Sequence, residues 1–374
     1  MKSIDLEDSR LVRKIMESIL INYVIDDDIH DGGKTMNTKR WIALVVAVGV
    51  MFFSVVSSAL STLFLAELES TKSAFEDLWG KDEPFSEEVI EPGDPFSQIV
   101  VLEVNGVIQD LGTDDPLFTS GMYNHRLFMK KLEAIKENEN VKGIVLQINS
   151  PGGTVVESAQ IHDKLVEIMM EREIPVYVSM GSIAASGGYY IAAPATKIFA
   201  AKDTITGSIG VIMQGYNISE LAEKVGVEPF TIKSGPFKDI GSSTRKMTEE
   251  EERILQSLIN NAYEDFVRVV AEGRNMNIDH VKTIADGRIY DGRQAKEIGL
   301  VDEFGYLEDV ISAMKEDMGL EGAEVVRYED DTFGLSSLFF FMNDKLGGKN
   351  TTVNDLIQVL SHHHAPRLMY LYSN

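Results

Sequence analysis

Val176-Tyr-Val-Ser-Met-Gly-Ser-Ile-Ala-Ala-Ser186-Gly-Gly-Tyr-Tyr190 is an apolar, strand-like run that ends in a serine between small residues and a glycine pair. A short turn after a buried strand leads into a helix whose first amides lack intrahelical partners. A hydroxyl at that point lies in a positive field beside free N–H donors, which favours a nucleophile. The alternative interpretation is that Ser-Gly-Gly only lets a helix pack closely on a sheet. Ser186 is the first candidate for a catalytic residue.

The chain on both sides of this stretch alternates between apolar strands and amphipathic helices. The pattern predicts strands at 98–104, 143–148, 175–179 and 197–201, and helices at 124–137 and 155–170. Because the strands are apolar on both faces and helices separate them, we expect an α/β domain with a covered, parallel sheet. The sequence Thr248-Glu-Glu-Glu251 is a capping box, which predicts the start of a further long helix.

A second turn of interest, Asn149-Ser-Pro-Gly-Gly-Thr154, follows an apolar strand and opens the next helix. Two glycines allow the backbone to turn sharply and to point N–H groups outward, as an oxyanion hole requires. The alternative is an ordinary tight turn between a strand and a helix. In a parallel sheet this turn and the one at Ser186 belong at the same carboxyl edge, so together they are more informative than either alone.

A serine nucleophile needs a base, and no histidine lies in a motif that presents it to Ser186. His125, His162 and His280 are expected on helix surfaces, although distance in sequence does not exclude a triad. A neutral lysine is the other solution. Lys238 has apolar neighbours that could desolvate its ammonium group, so that the amine accepts a proton.

A serine and a lysine three positions apart, Ser243-Thr-Arg-Lys246, also match a spacing found in penicillin-recognising enzymes. The companion Ser-Asp-Asn and Lys-Thr-Gly motifs of those enzymes are absent, so this match is interpreted as a coincidence.

Composition excludes several classes of function. The formal net charge of −24 argues against a nucleic-acid partner, because phosphate neutralisation needs clustered Lys and Arg. The absence of cysteine excludes disulfides, thiol catalysis and cysteine-ligated zinc or iron–sulfur clusters.

The segment 42–66 contains no charged residue and is long enough to cross a bilayer. Basic residues precede it and acidic residues follow it, which predicts a cytoplasmic N-terminus and an extracellular remainder. A cleaved signal peptide ending near 57–59 is the alternative interpretation. The stretch from Glu67 to Ser97 holds ten acidic and two basic residues and is interpreted as a solvated linker.

Several further blocks extend the pattern in order along the chain from about Gln98 to Phe304. They are Asn149-Ser-Pro-Gly-Gly153, Ala185-Ser-Gly-Gly-Tyr-Tyr190, Thr206-Gly-Ser-Ile-Gly210, Lys233-Ser-Gly-Pro-Phe-Lys-Asp239, Gly287-Arg-Ile-Tyr-Asp-Gly292 and Ala295-Lys-Glu-Ile-Gly-Leu-Val-Asp302. In these blocks the chain resembles the signal peptide peptidase A family, membrane-bound serine proteases with a Ser/Lys dyad. It is most similar to the short, single-domain form of Gram-positive bacteria.

The resemblance implies a role for four residues. Ser186 would be the nucleophile, Lys238 the general base, Gly153 a donor to the oxyanion, and Ser208 a hydrogen-bonding partner that orients the lysine. It also implies a Clp protease/crotonase-like parallel sheet with helices, preceded by one transmembrane helix. Ring-shaped homo-oligomers would share each site between adjacent protomers, and neither a metal nor another cofactor would be needed.

The resulting expectation is a single-pass protein of the cell membrane that degrades remnant signal peptides and takes extended apolar peptides as substrates. Its parts would be a leader of uncertain status (1–35), an anchor (36–66), an acidic linker (67–97), a protease domain (98–326) and a C-terminal tail (327–374). The apolar end of the tail is expected to reach a substrate groove, where it is trimmed. Alternatives are a related protease acting on other membrane-protein segments, a crotonase-fold acyl-CoA enzyme, or an inactive scaffold.

Overall fold

A computed structural model of the chain describes residues 85–112, 123–330 and 367–372. The predicted leader and anchor, the linker as far as residue 84, and the tail between 331 and 366 lie outside these ranges. Within them, no helix has both the length and the apolar character that a membrane crossing requires.

Nine of the eleven described strands form one large, mostly parallel sheet, as the sequence predicts, and the strands at Gly152–Thr154 and Met369–Leu371 pair in a separate two-stranded sheet. Its main path runs in the order β1, β10, β2, β3, β5, β6, β9, and β7 joins β5 to β8. Neighbours are parallel except in the pairs β1–β10 and β7–β8. The strands are β1 (Phe85–Glu91), β2 (Asp94–Asn105), β3 (Val141–Ser150), β4 (Gly152–Thr154), β5 (Val176–Ala185), β6 (Lys197–Ala200), β7 (Ile205–Gly207), β8 (Ile289–Asp291), β9 (Glu303–Phe304), β10 (Ala323–Asp330) and β11 (Met369–Leu371).

Helices cover both faces of this sheet. They are α1 (His125–Glu137), α2 (Val155–Arg172), α3 (Gly187–Ala192), α4 (Ser219–Lys224), α5 (Glu249–Gly273), α6 (Ile278–Ile284), α7 (Gly292–Glu297) and α8 (Leu307–Met318). The capping box predicted at Thr248 and Glu251 is confirmed: the Thr248 side chain accepts the Glu251 N–H, and Glu251 accepts the Thr248 N–H.

Two apolar layers, one on each face of the sheet, explain why the strand sequences are continuous runs of hydrophobic residues. Val100 and Leu102 belong to the larger layer with helices α1, α2, α3 and α5, whereas Ile99 and Val101 face helix α8. Successive side chains of a strand point to opposite faces, so a strand covered on both sides needs apolar residues at every position. The predicted Clp protease-like layout of a parallel sheet with helices on both faces is therefore present.

The sheet extends further toward both chain ends than the sequence pattern indicates. Phe85–Glu91, within the predicted linker, forms edge strand β1, and β10 continues past the predicted domain end at 326 to Asp330. Charged and apolar residues are equal in number in β1, and only Phe85 is buried, where it stacks on Tyr328. An edge strand with one solvated side does not show the continuous apolar run on which the prediction relied.

Candidate active site

Ser186 ends strand β5 and begins helix α3 in a strained conformation. Its φ of 55° and ψ of −117° lie outside the regions that residues with a Cβ normally occupy, and the residue is only 1% exposed. Its N–H donates to Gly207 O at 2.8 Å, and its carbonyl accepts the Tyr190 N–H at 2.8 Å. Strain that the surrounding structure holds in place is typical of functional sites. The structure thus fixes the backbone beneath the Ser186 hydroxyl from both sides.

The Pro-Gly-Gly turn approaches the residue that follows this serine. A Cβ placed on Gly187 would lie 3.0 Å from Gly153 N, and one on Gly152, whose φ is +100°, would lie 2.6 Å from Gly187 N. Glycine is therefore required where the two turns meet. The Ser150 hydroxyl accepts the Gly152 N–H at 3.1 Å and so helps to fix the turn. The structure brings Gly153 and Ser186 together at the carboxyl edge of the sheet.

Ser208 reaches the same place along the neighbouring strand. Strand β7 pairs in parallel with β5, and Gly207 lies opposite Ala185, so Ser208 and Ser186 leave paired positions. Ser208 is buried, has a φ of 49° and donates its N–H to Arg288 O at 2.8 Å. Three of the four predicted site residues therefore lie together.

The fourth predicted residue, Lys238, is not brought to Ser186 within the chain. Its side chain is exposed, on a largely exposed segment between residues 214 and 243. The backbone around it is nevertheless ordered by successive turns, in which Lys238 N donates to Gly235 O at 3.3 Å and Ile240 N to Phe237 O at 3.1 Å. The expectation that apolar sequence neighbours desolvate the ammonium is not met in a single chain, because Phe237 is itself partly exposed.

An ion-pair network borders the turn that carries Lys238. Asp239 accepts hydrogen bonds from Arg245 and Lys233, and these hold the pKa of its carboxyl well below its usual range. Glu251, which is almost fully buried, accepts from Arg245 and from the Thr248 N–H, which lowers its pKa to about 2. Both carboxylates are therefore ionised throughout the neutral pH range. This network was not predicted, because Arg245 lies in the stretch 243–246, whose match to the Ser-x-x-Lys spacing of penicillin-recognising enzymes is a coincidence.

The histidines are not placed to serve Ser186 within the described ranges. His125 is 5% exposed, against the prediction of a surface position, because Tyr123 Oη and Gln160 Oε1 satisfy its ring nitrogens at 2.9 and 2.7 Å. His162 is also mostly covered and packs edge-on against Tyr190. His280 is exposed, as predicted. In the part of the chain described here, no cluster of three His, Asp or Glu residues could hold a metal ion.

The described end of the tail lies along the Pro-Gly-Gly turn as an additional strand. Strand β11 pairs antiparallel with β4, and Tyr370 lies opposite Gly153. On its other side Met369 exchanges backbone hydrogen bonds with Ile212, both at 3.0 Å. At these residues the tail therefore lies against the turn that the sequence predicts as the oxyanion hole. The sequence pattern predicts no strand there. In strand conformation, however, Leu368, Tyr370 and Tyr372 fall on one face and Met369 and Leu371 on the other.

Tyr370 fixes the register of this strand. Its side chain is 1% exposed, stacks on Tyr190, contacts the tilted ring of Phe266, and donates its hydroxyl to Ala262 O at 2.9 Å. Burial raises the pKa of this phenol well above its usual range. Two cavities flank the strand, one of about 590 Å³ bordered by Ser208 and Leu371, the other of about 420 Å³ beside Thr154 and Met369.

The ladder also determines which tail carbonyl faces the glycine turn. Val155 N donates to Leu368 O at 3.4 Å, and Tyr372 N donates to Pro151 O at 2.9 Å. Hydrogen-bonded pairs alternate in an antiparallel ladder, so the pair between these two, Tyr370 and Gly153, is also a hydrogen-bonded one. The Tyr370 carbonyl therefore lies at the Gly153 amide, next to the residue that follows Ser186.

Two family models match the chain. Peptidase family S49 matches residues 169–321, a range that includes Ser186, Ser208 and Lys238, and Clp protease matches residues 118–206, which include Gly153.

Relatives from three kinds of organism match as well. A protein of Enterococcus faecium named "Putative signal peptide peptidase SppA" is 42% identical, over 90% of this chain and 99% of its own length. Protease 4 of Salmonella typhi is 31% identical over 72% of this chain and 42% of its own length. The chloroplastic serine protease SPPA of Arabidopsis thaliana is 32% identical over 59% of this chain and 32% of its own length.

Proposed function

Because the chain belongs to peptidase family S49, and within it to the signal peptide peptidase A family, we propose that it is a serine endopeptidase with a Ser186/Lys238 dyad. In this proposal Lys238, as the neutral amine, takes the proton of the Ser186 hydroxyl while Oγ bonds to the carbonyl carbon of a peptide. The Gly153 amide stabilises the resulting oxyanion, and Ser208 orients the amine. Lys238 then protonates the leaving amine, and water releases the acyl group as a carboxylate.

The observation that carries this proposal is the strand β11. An extended segment of polypeptide lies between residues 152–154 and Ile212, and one of its carbonyls is at the Gly153 amide. Pairing of a peptide with an exposed strand is a common mode of peptide recognition, in which the backbone gives affinity and pockets for alternate side chains give specificity. A groove that accepts backbone in this way favours a peptide substrate over an acyl-CoA.

A second copy of the chain is proposed to supply the lysine. Ser186 and Lys238 are not joined within one chain, and the segment that carries Lys238 exposes many large apolar side chains. They include Tyr216, Leu221, Val225, Val227, Phe230 and Ile232. Apolar surface of this extent is typical of a protein interface. Its burial against a neighbouring copy would bring the exposed lysine to the neighbour's Ser186 and remove water from the site, as a ring-shaped homo-oligomer requires.

The family and the N-terminal sequence support a proposal for the substrate and the location. The apolar segment 42–66 would anchor the protein in the cell membrane as a single-pass protein. The protease domain would lie outside the cell, at the membrane in which signal peptides remain after their release from preproteins. A groove for extended apolar peptides, without a metal or another cofactor, suits that substrate.

The decisive experiment is cleavage of a fluorogenic apolar peptide by the detergent-solubilised full chain. Wild type would be compared with Ser186→Ala, Lys238→Ala and the surface control Lys130→Ala, at an exposed position of helix α1. We expect both dyad variants to lose at least about a thousandfold in kcat, as single losses from catalytic units do. The control should retain full activity. Cleavage that survives in Ser186→Ala or Lys238→Ala would refute the dyad.

The tail itself is proposed to be a substrate. If the Tyr370 carbonyl is attacked, the bond from Tyr370 to Leu371 breaks and the peptide that begins at Leu371 leaves. Mass spectrometry of purified wild type beside Ser186→Ala should show termini that differ by this peptide. Identical intact termini in both proteins would remove the proposal for the tail and leave the peptidase assignment to the cleavage assay.

A further inference from the structure

Lys238 is followed directly by a carboxylate, which is an unfavourable neighbour for a lysine that must be neutral. An anionic group within a few ångströms stabilises the charged ammonium and so opposes loss of its proton. Asp239 nevertheless lies next to Lys238 in sequence and is mostly buried. The surrounding structure must therefore offset the charge of Asp239 if the proposed mechanism is to work.

The Arg245 guanidinium donates hydrogen bonds to both oxygens of the Asp239 carboxylate. Arg245 Nε donates to Asp239 Oδ2 and Nη2 to Asp239 Oδ1, both at 2.8 Å, and Nη2 also reaches the Asp239 carbonyl at 3.1 Å. Two parallel bonds of this kind are the strongest arrangement that arginine forms with a carboxylate. Lys233 binds the same carboxylate at 2.6 Å. The negative charge at Asp239 is thus paired with two cations other than Lys238.

The same guanidinium ties the turn to the long helix α5. Arg245 Nη1 donates to Glu251 Oε2 at 2.8 Å, Nη2 donates to Glu251 Oε1, and Nη1 also donates to the Lys246 carbonyl at 3.1 Å. Glu251 is the third residue of helix α5 and is held by Thr248 in the capping box. Helix α5 in turn packs on the core through Phe266. One side chain therefore connects an exposed turn to a rigid element.

We propose that Arg245 is a positioning residue for catalysis: it anchors the turn that carries Lys238 to helix α5 and neutralises Asp239, so that the neighbouring lysine can lose its proton. This inference rests on the proposed role of Lys238 as the base. Asp239 pairs with Lys233 and Arg245, and Arg245 pairs in turn with Glu251 of helix α5. Lys238 is the next residue to Asp239 in sequence, and Lys246, next to Arg245, pairs with Glu220 of helix α4.

A lysine at position 245 cannot replace this arginine. The planar guanidinium has five donors in a fixed fork, whereas an ammonium group is a point charge that cannot hold both carboxylates in the same geometry. Arg245→Lys keeps the charge and loses the fork, and Arg245→Gln loses both. The two variants therefore separate the positioning part of the role from the electrostatic part.

The test is the pH profile of peptide cleavage by the full chain in detergent, between pH 6 and pH 10.5. Arg245→Gln should lower kcat about 10- to 100-fold, leave KM within about twofold, and raise the midpoint of the profile by about one pH unit, because a freed carboxylate favours the ammonium. Arg245→Lys should lower kcat by a smaller factor and keep the wild-type midpoint. The double variant Asp239→Asn/Arg245→Gln should return the midpoint to that of wild type, since the opposing charge is gone.

A purely structural role for Arg245 gives a different result. It would make the double variant no closer to wild type than Arg245→Gln, with an unchanged midpoint in both, and that outcome would overturn the inference. So would a wild-type kcat and midpoint in Arg245→Gln. Circular dichroism and oligomer size show whether each variant is folded, and Arg293→Gln, which removes an exposed pair with Asp203 and Asp291, is the matched control.

The Lys238→Ala variant separates this inference from the proposed function. If Lys238→Ala is inactive while Arg245→Gln behaves as wild type, only the role of Arg245 is wrong. If Lys238→Ala remains active, the proposed dyad fails whatever Arg245 does.

Discussion

The proposed site has two sides, one at Ser186 and one at Lys238. A single chain completes the Ser186 side and leaves the Lys238 side incomplete. Ser186 is buried, and its backbone is held by Gly207 and Tyr190 and closed in by the Gly152 turn. Lys238 projects from an exposed segment that is anchored at one end, by Arg245. The chain therefore completes the part of the site that receives the substrate and presents the base outward. Under the proposed Ser186/Lys238 dyad, assembly of copies is a condition for activity.

Mixing two inactive variants gives the largest effect that this comparison predicts. When Ser186→Ala and Lys238→Ala chains are unfolded, mixed in equal amounts and reassembled, a site has an intact serine half of the time and an intact partner lysine half of the time. About one quarter of wild-type activity should return if neighbours share sites in a closed ring. The rate of peptide cleavage after reassembly measures this fraction.

The control for this experiment is reassembly of each variant alone, which should remain inactive. If both residues of a site came from the same chain, no mixed site would be complete. A mixture without activity, from variants whose oligomer size matches wild type, would show that the two halves belong to one chain.

Substitution of Gly152 should damage the serine half next most strongly. In Gly152→Ala the new Cβ would lie 2.6 Å from Gly187 N, at a position whose φ of +100° is unfavourable for alanine. We expect kcat to fall about 100- to 1,000-fold, as when an oxyanion donor is lost, because the turn that presents the Gly153 amide must shift. Gly319→Ala is the matched control, since Gly319 also has a positive φ but a Cβ there meets nothing within 4 Å. Equal activity in the two variants would contradict the tight contact.

Release of the tail from the groove should have a moderate effect in the opposite direction, because it should improve substrate binding. Tyr370→Ala removes a buried aromatic ring from its contacts with Tyr190 and Phe266, which should weaken docking of the strand by about 3–5 kcal/mol. A freed groove binds substrate without competition, so KM for a peptide should fall several-fold while kcat remains constant. Steady-state kinetics would show this change.

Leu371→Ala is the matched control for the tail, because Leu371 is only half-buried in the same strand. It should change KM less than Tyr370→Ala does. An unchanged KM in Tyr370→Ala would mean that the tail does not compete with substrate.

The strands around Ser186 were predictable because burial on both faces demands apolar residues at every position. The glycine turns were predictable because only glycine permits the approach of Gly152 to Gly187. Edge strand β1 was not predicted, because one of its sides is solvated and does not require apolar residues. The surface position predicted for His125 was wrong because a buried histidine satisfied by Tyr123 and Gln160 has no signature in sequence.

The Lys238 side was predictable only in part, for a different reason. Resemblance to a family pointed to the lysine, but no periodic pattern in the sequence predicts that its side chain is exposed in a single chain. The pairing of Arg245 with Asp239 and Glu251 spans six residues in each direction through an irregular turn. Such contacts follow no helical or strand period, so periodicity cannot reveal them.

The smallest predicted effect is on the acid stability of the Arg245–Glu251 ion pair, which ties the turn that carries Lys238 to helix α5. The pKa of Glu251 is lowered from 4.5 to about 2 by bonds from Arg245 and from the Thr248 N–H. A carboxylate with a lowered pKa in the folded state contributes stability that is fully present above the unfolded value and is lost as pH falls through the folded value. The difference in Tm between wild type and Glu251→Gln should therefore be largest above pH 5 and shrink between pH 4.5 and pH 2. Glu249→Gln, at an exposed position of the same helix turn, should show no such change. A Tm difference that is independent of pH would mean that Glu251 stabilises helix α5 through its shape and not its charge, and the link from the Lys238 turn to the core would then be weaker than its hydrogen bonds indicate.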